Sequence, residues 1–428
     1  MTMSDMTVPD MNTSETTSAG PSRTCRACGA ALQRSVADLG LSPLANAYVP
    51  ADRVNRGEMF HPLHAYVCDS CWLVQLEAFE TPEAIFSDYA YFSGFSAGWI
   101  AHAEAYVAAM QARFSLSPVS KVVEVASNDG YLLQAVVARG IPALGIEPAA
   151  NVAAVARQHG IPTEVAFFGE ETGRRLLADG HAADLMAANN VLAHVPDIHD
   201  FVEGFRILLK SEGVGTFEFP HLLRMIQERQ FDTIYHEHFS YLSLGVVSNI
   251  LAAHGLRVFD VEQWPTHGGS LRVFFCHAAA AHAETDAVAR VLAEERAGGL
   301  FGPEGYAAFA EDVVAIKCAT LTFLADLRLT HRTVCAYGAA AKGNTFLNYC
   351  GIGPELVGAV ADRSPHKQGT RLPGSRIPVV SPEALLAMRP DYVLILPWNL
   401  KDEIASEMAT IRDWGGRFVT AIPRLSVF

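Results

Sequence analysis

The chain has no apolar run long enough to span a membrane, and its N-terminus lacks the charged-then-apolar pattern of an export signal. It also has few basic residues, 32 Lys and Arg against 46 Asp and Glu, for a formal net charge of −14. This balance argues against a nucleic-acid-binding protein but leaves room for a local basic pocket around a phosphate. We therefore expect a soluble, cytoplasmic protein with no membrane or nucleic-acid partner.

The length of 428 residues, half of them apolar, is enough for two or three domains with their own cores. Residues 1–21 are rich in Thr, Ser, Met and Asp, which predicts a disordered tail. Changes of pattern along the rest of the chain predict three further units, at residues 22–80, 81–275 and 276–428.

Cysteines are also few, eight in all, and four of them form two Cys-x-x-Cys pairs, Cys25 with Cys28 and Cys68 with Cys71. Four thiolates in one short segment suit tetrahedral Zn²⁺, and in a small unit the metal replaces part of a hydrophobic core. We expect a structural zinc module, with redox dithiols as the alternative. Buried positions among apolar side chains are expected for Cys276, Cys318, Cys335 and Cys350.

Short apolar strands alternate with amphipathic helices from residue 121 onward, which predicts a parallel α/β sheet covered on both faces. The turn after the first strand lacks a full Gly-x-Gly-x-x-Gly, and its Asp129 would repel a pyrophosphate. S-adenosylmethionine has no phosphate and is cationic, so it fits this edge better than a dinucleotide. Glu147, after the second strand, either accepts the ribose hydroxyls or caps the next helix. The predicted contacts are Ser127, Asn128, Asp129, Gly130, Glu147, Asn189 and Asn190.

Residues 235–238 place two imidazoles, a carboxylate and a phenol directly after the last strand of this block. Proton abstraction next to a carbonyl needs a base, an orienting partner and a donor for the developing oxyanion. An extended segment would put His236 and His238 on one face, with Tyr235 and Glu237 on the other. A metal site is an alternative, but it needs a third ligand and an open coordination position.

Three other segments are candidate walls of the same site. His194 follows a strand at residues 182–188 and either faces the reaction centre or is a hydrogen-bonded structural residue. The aromatic stretch at 86–95 suits a binding wall or packing against the next domain. Residues 266–272 either close one wall of the site or form a plain hairpin.

A second, smaller α/β block follows a helical stretch at residues 278–297, with a strand predicted at 356–360. Residues 338–345 follow a strand and open a helix, whose N-terminal amides together with Lys342 can form an anion site. Residues 362–367 follow the next strand and add three potential cations. Together they predict a pyrophosphate site; a turn with a solvated charge run is the alternative.

The chain resembles the S-adenosylmethionine-dependent C-methyltransferases of nucleotide-linked deoxysugars, typically thymidine-diphosphate 4-keto sugars destined for antibiotics. The resemblance implies an N-terminal zinc module, a central class I (Rossmann-like) methyltransferase domain and a smaller Rossmann-like α/β domain that helps to hold the sugar nucleotide. It runs from about Cys25 to the C-terminus and rests on seven blocks in the expected order: both cysteine pairs, 124–130, 188–196, 218–220, 231–238, 266–272 and 341–345.

The resemblance also implies carbanion chemistry, in which a base removes a proton beside the 4-keto group, C-3 favoured, and the enolate carbon takes the methyl group. It implies His238 as the base, with Glu237 orienting it or sharing that role. Tyr235, His194 and Tyr89 would stabilise the enolate or position the sugar, and an exchange of roles between His194 and His238 stays open. Contacts to the sugar nucleotide are implied for Lys342, Gly343, Asn344, Arg363, Lys367, His267 and Ser270.

Two positions depart from the family pattern. Ala126 stands where Gly is usual, and Ala340 stands where Pro is common. An added methyl at position 126 matters if the backbone there takes a positive φ. The alternative functions are an O- or N-methyltransferase of another small molecule and a non-catalytic nucleotide-binding protein. The sequence leaves the sugar's 3-substituent, the stereochemistry and the oligomeric state open, and a monomer is compatible with it.

Overall fold

A computed structural model of the protein describes residues 23–81, 94 and 97–428. The predicted tail at 1–21, Tyr89 and all but one residue of the aromatic stretch at 86–95 lie outside the described residues. Three β-sheets organise the described part, and the candidate catalytic segment at 235–238 lies where they meet.

The first sheet is antiparallel and belongs mostly to the N-terminal unit. Its strands are β1 (Arg34–Ser42), β2 (His61–Val67) and β3 (Val74–Leu76). The fourth strand is β9 (Ser240–Tyr241), which comes from much later in the chain and pairs with β3. Because β9 directly follows residues 235–238, the N-terminal sheet holds one end of that segment.

The second sheet has seven strands in the order β10-β11-β8-β7-β4-β5-β6. Five are parallel, as predicted, and β11 runs antiparallel to β8 and β10. The chain crosses from β4 outward to β6 and then returns to β7, so the loops after β4 and β7 flank a crevice where ligands bind in such sheets. The strands are β4 (Val122–Val125), β5 (Ala143–Ile146), β6 (Thr163–Glu164), β7 (Ala183–Asn189), β8 (Leu209–Pro220), β10 (Leu256–Trp264) and β11 (Ser270–His277).

Helices cover this sheet, and polar N-caps begin two of them, Asp197 before α5 and Ser243 before α7. The helical stretch predicted at 278–297 is shorter than expected, because its helix begins only at Asp286. The helices are α1 (Ala97–Phe114), α2 (Tyr131–Val137), α3 (Ala150–Gln158), α4 (Glu170–Ala178), α5 (Ile198–Leu208), α6 (Leu222–Gln227), α7 (Leu244–Ala253) and α8 (Asp286–Ala297).

The third sheet, of order β14-β13-β12-β15-β16-β17, is parallel except for its last strand. The strand predicted at 356–360 is only Val360–Ala361, because residues 356 and 357 form a turn onto the carbonyl of Gly353. The strands are β12 (Val334–Tyr337), β13 (Val360–Ala361), β14 (Val379–Val380), β15 (Tyr392–Ile395), β16 (Arg417–Thr420) and β17 (Ser426–Val427). Its helices are α9 (Phe309–Leu329), α10 (Ala341–Cys350), α11 (Pro382–Met388) and α12 (Lys401–Glu407).

One buried apolar cluster joins the first and third sheets. It contains Val36 and Leu63 from the first sheet, and Leu347 and Val360 from the C-terminal unit. Phe231, just before the candidate catalytic segment, is fully buried in the same cluster. Burial of a side chain of this size contributes roughly 1.5–3 kcal/mol, so the segment is anchored on both sides. Among the described helices, none is long and apolar enough to cross a bilayer.

Candidate active site

The four paired cysteines form one cluster in the N-terminal unit. All four Sγ atoms lie within 4.8 Å of one another, and the Cys25–Cys71 and Cys28–Cys68 pairs are both 3.5 Å apart. Tetrahedral Zn–S bonds of about 2.3 Å would place the sulfurs about 3.8 Å apart, so the cluster fits Zn²⁺. The Gln75 amide donates to Cys25 Sγ at 3.1 Å, as suits a thiolate. Four protein ligands leave no open position, so this is a structural site.

Of the remaining cysteines, three are buried as expected, but Cys318 is exposed, so that prediction is wrong there. Cys318 lies on α9, whose outer face is open to solvent.

The turn between β4 and α2 has a left-handed backbone at Ala126, Asn128 and Gly130, with φ of 53°, 51° and 78°. Glu147 ties this turn to the next helix, because its Oε2 accepts from Asn128 N and its Oε1 from Ala149 N, each at 2.9 Å. Ala149 is the N-cap of α3, so Glu147 does cap the following helix, one of its two predicted roles.

In the crevice between the loops after β4 and β7, several polar atoms have no hydrogen-bond partner among the described residues. The buried carboxyl of Glu124 lies near the carboxylates of Asp129 and Glu147, and burial followed by these two charges raises its pKa well above the usual value. Unpaired buried polar groups are costly, and an acidic surround favours a cation, so S-adenosylmethionine fits the site. The unpaired atoms are Ser127 Oγ, Asp129 Oδ1, Asn189 Oδ1 and both amide atoms of Asn190.

Residues 235–238 form a tight turn, closed by His238 N donating to Tyr235 O at 2.8 Å, and not the extended segment considered above. The turn brings Tyr235 onto His238, whose Nε2 accepts from the phenol at 2.8 Å, while its Nδ1 donates to Thr233 O at 2.9 Å. His236 instead donates to Pro62 O at 3.1 Å, in the N-terminal unit. The two imidazoles therefore do not share a face.

His194 completes the cluster at the end of β7. Its Nδ1 donates to Glu237 O at 2.7 Å, and its ring lies edge-on to His238 with centroids 4.7 Å apart. Burial lowers the pKa of His194 to about 4, and burial followed by the His194 charge lowers the pKa of His238 well below its usual value. Both imidazoles are therefore neutral near pH 7, with the ring hydrogen on Nδ1 in each.

The Glu237 carboxyl contacts the N-terminal unit, where Asn46 Nδ2 donates to its Oε1 at 3.2 Å. Burial raises its pKa. The groups that orient the His238 ring are the Thr233 carbonyl and the Tyr235 hydroxyl.

Residues 266–269 join β10 to β11 as a tight hairpin, one of the two alternatives for this segment. His267 has a left-handed φ of 56° and lies edge-on to Trp99, with ring centroids 5.2 Å apart. Burial followed by the charge of Lys342 lowers the pKa of His267 to about 4. Ser270 Oγ donates to Thr266 O at 2.9 Å and so closes the hairpin.

In the C-terminal unit, Lys342 lies in the first turn of α10. Its Nζ donates to Asn399 Oδ1 at 2.8 Å and lies 4.8 Å from the centroid of the Trp398 ring. Burial lowers its pKa, and Asp232 opposes that shift. Lys367 donates to the carbonyl of Ala339 at 2.7 Å, at the mouth of the same turn.

Other predicted sugar-nucleotide contacts are engaged elsewhere. Arg363 pairs with Glu407 on the exposed face of α12, at 2.7 Å. Asn344 Nδ2 donates to Ala45 O at 2.6 Å and so links α10 to the N-terminal unit. Gly343 is packed against Leu396, which would lie 2.9 Å from an added Cβ.

Four residues that contact the site were not predicted as site residues from the sequence: Asp232, Thr233, Trp398 and Asn399. The position of the last two was a usable signal, since they follow β15, the parallel neighbour of β12, and such loops meet at one edge of a sheet.

The mostly parallel sheet with a reversed hairpin, and the acidic turn and unpaired amides at its switch point, define a class: an S-adenosylmethionine-dependent methyltransferase. Family models match the chain in succession: "Putative zinc binding domain" over residues 25–86, "Methyltransferase domain" over 99–261 and "C-methyltransferase C-terminal domain" over 265–423. The C-methyltransferase NovU of Streptomyces niveus is 37% identical over 399 residues, which cover 93% of this chain and 95% of that protein. The chain belongs to the family of S-adenosylmethionine-dependent C-methyltransferases.

Solved structures align with about two fifths of the chain. The magnesium protoporphyrin IX methyltransferase of Synechocystis is 14% identical, with 42% of this chain and 80% of that chain covered and a TM-score of 0.33. An S-adenosylmethionine-dependent methyltransferase of Mesorhizobium loti is 18% identical, with 40% and 97% covered and a TM-score of 0.32.

Proposed function

We propose that the protein deprotonates a carbon next to the keto group of a thymidine-diphosphate 4-keto-deoxysugar, with C-3 favoured, and methylates the resulting enolate. The observation that carries this proposal is the pairing of two neutral imidazoles, His194 and His238, with the phenol of Tyr235. Bound S-adenosylmethionine supplies the electrophilic methyl group.

The hydrogen bonds of His238 suit a base that works with a phenol. Its Nδ1–H is held by Thr233 O, so Nε2 is the atom that takes a proton. When the phenol of Tyr235 turns from Nε2 to donate to the keto oxygen of the substrate, the Nε2 lone pair is released to take the proton from carbon, and the phenol then stabilises the enolate oxygen. His194 has the same tautomer, so the alternative in which His194 is the base remains part of the proposal.

The Lys342 and Lys367 ammonium groups support a diphosphate next to this centre. Lys342 lies in the first turn of α10, and Lys367 donates to the Ala339 carbonyl just before that helix. The N-terminus of α10 also favours an anion. We also propose a cytoplasmic location, where S-adenosylmethionine is available, and an antibiotic-sugar pathway as the context.

The test is incubation of the purified protein with S-adenosylmethionine and a panel of thymidine-diphosphate 4-keto-deoxysugars. We expect a product heavier by one methylene unit in the mass spectrum, with NMR identifying the methylated carbon. His238→Gln should lose product formation by roughly 10²-fold or more, as loss of a general base does. Methylation at an oxygen or nitrogen, or full activity in both the His238→Gln and the His194→Gln variant, would contradict the proposal.

A further inference from the structure

A buried hydrogen bond links the catalytic segment to the C-terminal sheet. The carboxyl of Asp232, three residues before Tyr235, is 1% exposed, and its Oδ2 accepts from the indole Nε1–H of Trp398 at 2.8 Å. Its Oδ1 has no hydrogen-bond partner within the described part of the chain. The two residues are 166 positions apart, so the contact reports on how the two units are docked.

The Trp398 indole is held on its other sides as well. One face lies 4.8 Å from Lys342 Nζ. Its far edge contacts the 266–269 hairpin so closely that a Cβ added at Gly268 would lie 2.4 Å from Trp398 Cη2. Trp398 therefore touches the catalytic segment, the hairpin and the lysine at once.

The Lys342 ammonium lies close to the Asp232 carboxyl and still has donors for a ligand. Burial raises the pKa of Asp232 to about 6, and the charge of Lys342 opposes that shift. Among the described residues, Asn399 takes one of the three Lys342 donors, which leaves two for a ligand. The charge of Lys342 also contributes to the lowered pKa of His267 and of His238, so the ammonium is close to the reaction centre.

We propose that Asp232 and Trp398 are positioning residues that hold the Lys342 ammonium where it binds the diphosphate of the substrate. This inference rests on the proposed function in assigning a diphosphate to Lys342. The inference adds that the anion site is shared between two units. Asp232, next to the catalytic segment, supplies the carboxylate that holds the Trp398 indole of the C-terminal unit. A variant of the protein that lacks the Trp398 N–H donor should therefore bind the nucleotide less tightly, although Trp398 itself need not contact the nucleotide.

The experiment is calorimetric titration of the full chain with thymidine diphosphate, and separately with S-adenosylhomocysteine. Lys342→Met should weaken thymidine diphosphate binding by roughly 10- to 100-fold, the usual effect of losing a hydrogen bond to a charged group. Trp398→Phe should weaken it by roughly 5- to 20-fold. The control is Trp414→Phe, whose indole donates to Pro390 O at 3.0 Å in the same unit; it should change binding less than twofold.

Asp232→Asn is the second variant, because it removes the charge and keeps an oxygen that can accept from the indole. It should bind thymidine diphosphate at least as tightly as the unaltered protein, because the indole keeps its acceptor and a negative charge near the anion is removed. Neither it nor Trp398→Phe should change S-adenosylhomocysteine binding. Equal loss of both ligands would mean that the contact is only structural and would overturn the inference. If Lys342→Met binds poorly but Trp398→Phe binds like Trp414→Phe, the positioning pair is wrong and the Lys342 site stands. If Lys342→Met binds normally, the diphosphate assignment itself is wrong.

Discussion

At the residue scale, the most informative departure from the family pattern is Ala126. The sequence raised the question whether the backbone there is left-handed, and its φ is 53°. A residue with a Cβ pays about 1 kcal/mol or more in this region, which Gly avoids. The donor turn therefore stores strain that the usual Gly would relieve.

Ala126→Gly should stabilise the protein by up to about 1 kcal/mol, because relief of roughly 1–2 kcal/mol of strain exceeds the roughly 0.4–1 kcal/mol cost of extra freedom in the unfolded chain. Urea denaturation of both proteins measures this difference. The matched control Ala154→Gly changes an exposed position inside α3 and should instead destabilise. Unchanged or lower stability in Ala126→Gly would show that the turn is not strained.

The two neutral histidines predict where activity falls with acid. The pKa of His194 is lowered to about 4 and that of His238 is also lowered, so both remain unprotonated well below pH 6.5. The acid limb of kcat/KM should therefore lie below pH 6, because this parameter reports the free enzyme. An acid limb centred near 6.5 would mean that the base is solvated.

The lowered histidine pKa values also make the free energy of unfolding depend on pH, because the folded and unfolded states bind different numbers of protons. Between about pH 6.5 and 4 the unfolded histidines are protonated while His194 in the folded protein is not, so stability falls as the pH falls. His194→Gln should make the free energy of unfolding depend less on pH between about pH 6.5 and 4. A slope identical to that of the unaltered protein would contradict the assigned pKa.

At the element scale, β8 and β11 are joined by a buried charge cluster. Arg272 is 2% exposed and donates to Glu218 Oε2 at 2.7 Å, while His102 lies 2.9 Å from Glu218 Oε1. Burial acts to raise the pKa of Glu218, but the hydrogen bond from His102 and the charge of Arg272 together hold it below its usual range. The cluster holds α1 and the 266–269 hairpin against the sheet.

Arg272→Met should destabilise the protein by about 3–5 kcal/mol, because it leaves the carboxylate of Glu218 buried with only part of its compensation. Arg174→Met is the matched control, since Arg174 pairs with Glu170 on an exposed helix face, and it should cost less than about 0.5 kcal/mol. Chemical denaturation measures both. Similar losses in the two variants would show that the buried pair has no special weight.

Elements of regular pattern could be predicted from the sequence, and contacts between distant segments could not. The strands at 122–125 and 143–146 and the alternation of strands and helices are as predicted, because their apolar pattern is local. The turn at 235–238 was not predicted, since β9 pairs with β3 far away in the chain and thereby sets its shape. The Asp232–Trp398 contact was likewise not predicted, because it joins residues 166 positions apart.

At the scale of the whole molecule, the zinc module supports the catalytic segment although it lies outside the reaction. Its β3 pairs with β9, its Asn46 contacts Glu237, and its Pro62 carbonyl accepts from His236. Loss of Zn²⁺ should therefore displace residues 235–238 through the first sheet.

The purified protein should contain one zinc per chain, and its removal by a strong chelator should abolish activity and lower the melting temperature. Cys28→Ser should do the same, because three thiolates hold Zn²⁺ poorly. The exposed single cysteine gives the control, Cys318→Ser, which should behave as the unaltered protein does. A zinc-free protein with full activity would exclude this supporting role.

The proposed reaction requires the site to remove a proton from carbon before methyl transfer. The most direct measurement is deuterium exchange at the carbons next to the keto group of the thymidine-diphosphate sugar, in D₂O with S-adenosylhomocysteine and no methyl donor. We expect exchange at one carbon with the unaltered protein and at least roughly 10²-fold slower exchange with His238→Gln. Exchange at an equal rate in both proteins, or no exchange in a protein that still forms the methylated product, would contradict the proposed reaction.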